Sequence, residues 1–160
     1  MGTQAQFIWQ PSTSRVATVD GFGPYPRGIW QTTPEPMTWP TKDPGDTLDY
    51  VLDLSKALAG DDGDSIKTLD VSISPANPGD LLMTQSKVDG DLAVLWLSSG
   101  VAGTTYAVTI VAGTNSGRAI SRTVGLAVAT LSTPSPFGND ITDQLGAALT
   151  DQSGNAITAN

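Results

Sequence analysis

Residues Asp91–Val128 read DLAVLWLSSGVAGTTYAVTIVAGTNSGRAISRTVGLAV, three strand-like runs separated by two glycine-bearing turns. In the second run Tyr106, Val108, Ile110 and Ala112 share one parity, and Thr105, Ala107, Thr109 and Val111 share the other. Period two with a lighter, more polar second face predicts a strand with one side in a core. Thr-Asn-Ser-Gly at 114–117 supplies the residue types of a hairpin loop. Beyond it Ile120, Val124, Leu126 and Val128 resume the alternation, with Arg122 intruding on the apolar parity. Arg122 therefore marks either the rim of the core or a bulge that shifts the register.

Working outward, Leu48, Tyr50, Leu52 and Leu54 alternate with Thr47, Asp49, Val51 and Asp53, giving one apolar and one wet, acidic face. Ser55–Gly60 suits a single helical turn. Leu69, Val71 and Ile73 alternate again, and Leu81–Val88 is a weaker strand. Pro40–Gly45 and Pro75–Asp80 read as turns. Leu92–Leu97 is apolar on both parities, as a strand covered on both sides would be. One cover is the core; the other is either the amino-terminal segment or a neighbouring subunit. Short strands punctuated by turns every ~8–12 residues predict an all-β protein, an immunoglobulin-like antiparallel sandwich of about seven strands. Gly103-Thr-Thr-Tyr106 at the entrance to a strand fits a tyrosine corner, the alternative being an ordinary core tyrosine.

The chain divides into an extended arm over 1–39, the sandwich over 40–131 and a carboxyl-terminal linker and arm over 132–160. Seven of eleven prolines lie between Pro11 and Pro44, and six of ten aromatics between Phe7 and Trp39, so regular structure there is disfavoured while contact with something apolar is expected. The arm either folds back over its own sandwich or docks on a partner; the two are compatible. Phe7, Trp9, Phe22, Tyr25 and Trp30 are its candidate anchors, and Trp39 reads as core. In the tail, Ile141-Thr-Asp-Gln recurs as Leu149-Thr-Asp-Gln, and Leu149–Thr158 suits a small hairpin. That hairpin is either flexible or adds a strand to a neighbour, which makes Leu149 and Ile157 candidate partner contacts.

Sixteen acids against eight bases, net −8, leave no basic cluster for nucleic acid. No apolar run approaches the ~20 residues of a membrane span, and the first residues do not resemble a signal peptide. With no histidine or cysteine, nucleophile–base pairs and thiolate metal sites have no material, so neither catalytic residues nor a cofactor are expected. Asp49 and Asp53 stand about 13 Å apart along a strand, too far for a glycosidase pair. Asp61-Asp62-Gly63-Asp64 invites a calcium reading, but its spacing lacks the alternating ligands of an EF-hand; an acidic glycine turn is the plainer reading, and no metal site is assigned.

Leu48-Asp-Tyr-Val-Leu-Asp-Leu-Ser-Lys-Ala-Leu58, Gly63-Asp-Ser-Ile66, Leu95-Trp-Leu-Ser-Ser-Gly100 and Ala102-Gly-Thr-Thr-Tyr106 follow one another in order. Together they resemble a family of small bacteriophage structural proteins with an immunoglobulin-like fold, similar to the fibre–tail adaptors of short-tailed phages. The resemblance covers about residues 40–131. It implies a non-enzymatic virion protein of the tail or neck, made in the host cytoplasm, linking tail fibres or another peripheral component to the tail. Its expected partners are other virion proteins and copies of itself in a symmetric ring, with no nucleic acid and no membrane. A head-decoration or neck protein on the same domain, and a carbohydrate-binding module using Trp9, Trp30 and Trp39, are the alternatives.

Overall fold

A computed structural model describes residues 9–21, 35–60 and 63–132. In chain order these form β1 (Val16–Thr18), β2 (Met37–Lys42), β3 (Leu48–Asp53), the helical turn α1 (Ser55–Leu58), β4 (Ile66–Ser74), β5 (Leu81–Asp89), β6 (Leu92–Ser99), β7 (Thr105–Thr114) and β8 (Ala119–Val128). The strands make two four-stranded sheets, ordered β1-β3-β6-β5 and β2-β8-β7-β4. Pairing is antiparallel except for β1 with β3 and β2 with β8, which are parallel. The chain is thus an all-β sandwich, with eight strands among the described residues where the alternation predicted about seven. Neither β2 nor β1 is among the six alternating runs, and β1, like the start of β2, falls in the segment read as an arm; β2 holds Pro40, and β1 is only Val16–Thr18. Three residues flanked by polar loops carry too little alternation to be visible as a strand.

Alternation places the core. Tyr50 and Leu52 of β3 and Ala93, Leu95 and Leu97 of β6 face Tyr106, Val108, Ile110 and Ala112 of β7 and Val124, Leu126 and Val128 of β8 in one buried cluster. The β7–β8 ladder runs without a register shift from Thr105↔Ala127 to Gly113↔Ala119. Arg122 therefore keeps the inward parity opposite Ile110, half-buried, with Nη1 donating to the Ser121 carbonyl at 2.7 Å. The bulge alternative falls, and the bulges lie elsewhere.

One of them sits in β2, which advances three residues from Trp39 to Lys42 while its partner advances two, from Leu126 to Val128. Pro40 occupies this irregular stretch of an edge strand, where a missing N–H breaks no ladder. The strand consequently runs through Pro40–Lys42, and the turn expected from residue 40 begins at Asp43. There Asp46 N–H donates to the Asp43 carbonyl and Gly45 N–H to Asp43 Oδ1. Trp39 is core, as expected; its Nε1–H donates to the Val51 carbonyl at 2.9 Å. Lys42 is fully buried, its Nζ donating to the carbonyls of Asp43 and Ser99 at 2.7 and 2.8 Å. Desolvation lowers its pKa, opposed by the charges of Asp46 and Asp43. The Ser99 carbonyl it holds belongs to a residue with φ +60° at the end of β6.

The tyrosine corner is present. Tyr106 is fully buried; its hydroxyl accepts the Val101 N–H at 2.9 Å and donates to Asp80 Oδ1 at 2.7 Å. Asp80 also accepts from the Asn77 amide and side chain, which closes the turn between β4 and β5. The Tyr106 hydroxyl, with Asn77, holds the Asp80 carboxyl below the usual carboxylate range, although burial opposes this. One phenol thus ties the β6–β7 loop to the β4–β5 turn. Tyr106→Phe should keep the packing and cost about 1–3 kcal/mol, because Val101 and Asp80 each lose a partner. Urea denaturation measures it, and an unchanged midpoint would show that the corner bonds contribute nothing.

Candidate interaction surface

The outward parity of the first sheet carries Asp49, Val51 and Asp53 on β3, in register with Trp96, Val94 and Leu92 on β6. Val51 and Val94 are 1% and 0% exposed although they stand outside the inter-sheet core cluster. The residues before β1 cover them. Trp9 packs on Trp96 with ring centroids 5.0 Å apart, and Lys87 Nζ lies 4.6 Å from the Trp9 ring centre, so the indole is held between an aromatic and a cation. The second apolar face of Leu92–Leu97 is therefore met by the chain's own amino-terminal segment, one of the two covers its sequence required.

Asp49 fastens this strap. Its Oδ2 accepts the Ser12 N–H at 2.7 Å and its Oδ1 accepts Arg15 Nη2 at 2.5 Å, while Arg15 Nε donates to the Asp49 carbonyl at 2.7 Å. Ser12 Oγ accepts the Arg15 N–H, closing the loop on itself. Burial works against the Asp49 charge, but the Arg15 hydrogen bond, the Ser12 amide and the Arg15 charge outweigh it and hold the carboxyl below its usual range. The chain then enters β1, where Val51 N–H donates to the Arg15 carbonyl and Val19 N–H to the Asp53 carbonyl. Between strap and sheet remains an open cleft of about 480 Å³, walled by Pro11, Val16, Val51 and Leu92 and bordered by Asp53 and Asp89.

Of the seven residues expected to contact partners, Trp9 is the one among the described residues, and it is engaged with its own sheet. Phe7, Phe22, Tyr25, Trp30, Leu149 and Ile157 lie outside them. Ser12, Arg15 and Asp49 escaped the sequence reading, which placed Asp49 on a wet face. The available signal was Arg15 itself, a cation in a segment almost free of charge. The acidic turn before β4 has a structural use: Asp64, buried, accepts the Ser65 and Ser116 amides at 3.0 Å each and Arg118 Nη1 at 2.7 Å. Desolvation opposes the charge, yet the Ser116 amide, Thr114 and Arg118 hold this carboxyl well below the usual range. Asp64 thereby pins the loop to the β7–β8 hairpin; Asp61 and Asp62 lie outside the described residues. Burial of Trp39 removes one of the three tryptophans on which sugar stacking would depend.

The strap should open when Asp49 loses its charge. Its pKa is depressed in the closed state, so its contribution is fully present above the ordinary carboxylate value of about 4 and is lost as pH falls through the depressed value. Asp49→Asn removes the ion pair outright and should cost the closed strap about 1.5–3 kcal/mol. Amide hydrogen exchange at Ser12 and Val51 reads both effects. Protection that survives the substitution, or is equal above and below that window after correction for intrinsic rates, would show that Asp49 is not the fastener.

With this geometry in hand, residues 42–127, more than half of the chain, match the family model described as "Podophage GP4 fiber-tail adaptor protein gp77". No curated protein matches the chain. The matched span runs from the end of β2 to the end of β8 and takes in Asp49, Val51, Trp96 and the Tyr106 corner, but not Trp9, Ser12 or Arg15 of the strap. On the strength of that match the chain belongs to the podophage fibre–tail adaptor family, a family of structural phage proteins.

Proposed function

We propose that this protein is a non-catalytic component of the phage tail or neck that links tail fibres, or another peripheral protein, to the tail, and that it does so as one of several copies in a ring. The family match across residues 42–127 carries the proposal. The physical character of the surface supports it. Among the described residues the sandwich commits four ionisable groups to structural bonds: Asp49 to the strap, Asp64 to a hairpin, Asp80 to the corner and Lys42 to two carbonyls. Edge strand β5 meanwhile presents Leu82 at 59% and Met83 at 37% exposure, apolar surface that an assembled neighbour can cover. The net charge of −8 suits protein partners better than nucleic acid. Phe7, Phe22, Tyr25 and Trp30 on the amino-terminal side, and Leu149 and Ile157 in the tail, are the proposed anchors, with burial of each large side chain contributing on the order of 1.5–3 kcal/mol.

Complementation of a phage lacking its own copy tests the role. A Phe22→Ala, Tyr25→Ala, Trp30→Ala variant should fold, keep its denaturation midpoint and yield particles short of fibres. Normal fibre content with this variant would remove those aromatics from the interface. Normal infectious particles in the complete absence of the protein would overturn the adaptor reading itself.

A further inference from the structure

We infer that the cleft between the strap and the first sheet is a docking pocket for a basic side chain, arginine or lysine, on a segment of a partner protein. Its floor is Val51 and Leu92, and Pro11 and Val16 wall it. At its border the register places Asp53, Leu92 and Asp89 in one row across β3, β6 and β5, so a carboxylate flanks the apolar floor on each side. The two strands that bear them stand roughly 10 Å apart, which is wide for one compact ion. It suits a long side chain that lays its methylenes over Leu92 and brings its charged head to the carboxylates. A volume of about 480 Å³ lies within the ordinary range for ligand pockets.

Charge complementarity decides the occupant. Asp49, Asp64 and Asp80 spend their oxygens on internal donors. Asp53 Oδ1 accepts the Ser55 N–H, and Asp89 makes no hydrogen bond or ion pair among the described residues. The neighbouring cation, Lys87, has its ammonium over the Trp9 ring, and Arg15 is committed to Asp49. Among the described residues no lysine or arginine lines the cleft. Among the described residues two carboxylates beside half-buried Leu92, Pro11 and Val16, in a chain of net charge −8, thus lack a cation that a partner can supply. The pocket also depends on the strap, since Pro11 is a wall only while Asp49 holds Ser12 and Arg15 in place.

The inference rests on the adaptor reading for the nature of the partner, a virion protein, and its test does not. An acetylated nine-residue peptide with a central Val-Arg-Val is titrated into the full-length protein and followed by amide chemical shifts. The comparison peptide carries citrulline, the neutral isostere, in place of the arginine. Shifts should cluster at residues 10–13, 51–53 and 89–92, and citrulline should weaken binding at least tenfold. Asp53→Asn with Asp89→Asn should do the same. Asp89→Asn alone, at an exposed position and breaking no hydrogen bond among the described residues, should weaken binding several-fold and leave the amide spectrum elsewhere unchanged. No binding at millimolar peptide, equal binding of the citrulline peptide, or shifts unaffected by Asp89→Asn would each overturn the pocket. Such a failure with fibre attachment intact leaves the adaptor role standing; loss of the adaptor role with peptide binding intact leaves the pocket standing.

Discussion

Strands β3 and β6 lie at the centre of a sheet whose inner face is apolar and whose outer face carries Val51, Val94, Leu92 and Trp96 beside Asp49 and Asp53, and the apolar part of each face has to be removed from water. The inner face meets the second sheet in the ordinary way of a sandwich. The outer face has no third sheet, and Val51 and Val94 would stand in solvent there. The chain meets this demand with its own residues 9–15, laid across the face and held at one end by a tryptophan pair and at the other by an ion pair. Burial of two valines is worth a few kcal/mol, comparable with the bonds that close the strap. Neither contribution suffices alone to order a segment of this length against its conformational entropy. The Trp9–Trp96 contact adds to both, and the strap then continues into β1, which extends the sheet.

The charged residues follow the same economy of placement. Among the described residues few polar groups are buried, and three sets of them join segments distant in sequence. Asp80 and Tyr106 join the β4–β5 turn to the β6–β7 loop; Asp64 and Arg118 join the loop before β4 to the last hairpin; Lys42 joins the end of β2 to the end of β6. Burial disfavours the charged form of Asp64 and of Lys42 alike. For the carboxylate the hydrogen bonds it accepts outweigh that penalty; for the lysine the nearby charges of Asp46 and Asp43 do not. These bonds specify where loops sit, and alternation specifies where strands sit.

For a structural adaptor this division is useful. A sandwich with loops locked by buried polar bonds holds its outward surfaces at fixed positions. The strap alters the character of one such surface. It converts an apolar sheet face into a smaller cleft with an acidic border, exchanging nonspecific stickiness for chemical selectivity.

Period-two alternation was enough to determine the all-β class, the inward residues of β3, β7 and β8, and the need for a second cover on Leu92–Leu97. These follow from local sequence because a strand's faces are set by parity alone. The family resemblance of residues 40–131 was equally legible, since its motifs are contiguous. The identity of the cover was not: whether Trp9 met Trp96 or a neighbour depended on a path through space that no periodicity records. Nor was the role of Asp49 visible, since a carboxylate on an outward parity reads as solvated until Ser12 and Arg15 are brought to it from 34 and more residues away. β1 was hidden because three residues carry no period, and they become a strand only when β3 offers its edge. The acidic border of the cleft arises in the same way, from two aspartates 36 positions apart in sequence that strand register sets on either side of one leucine.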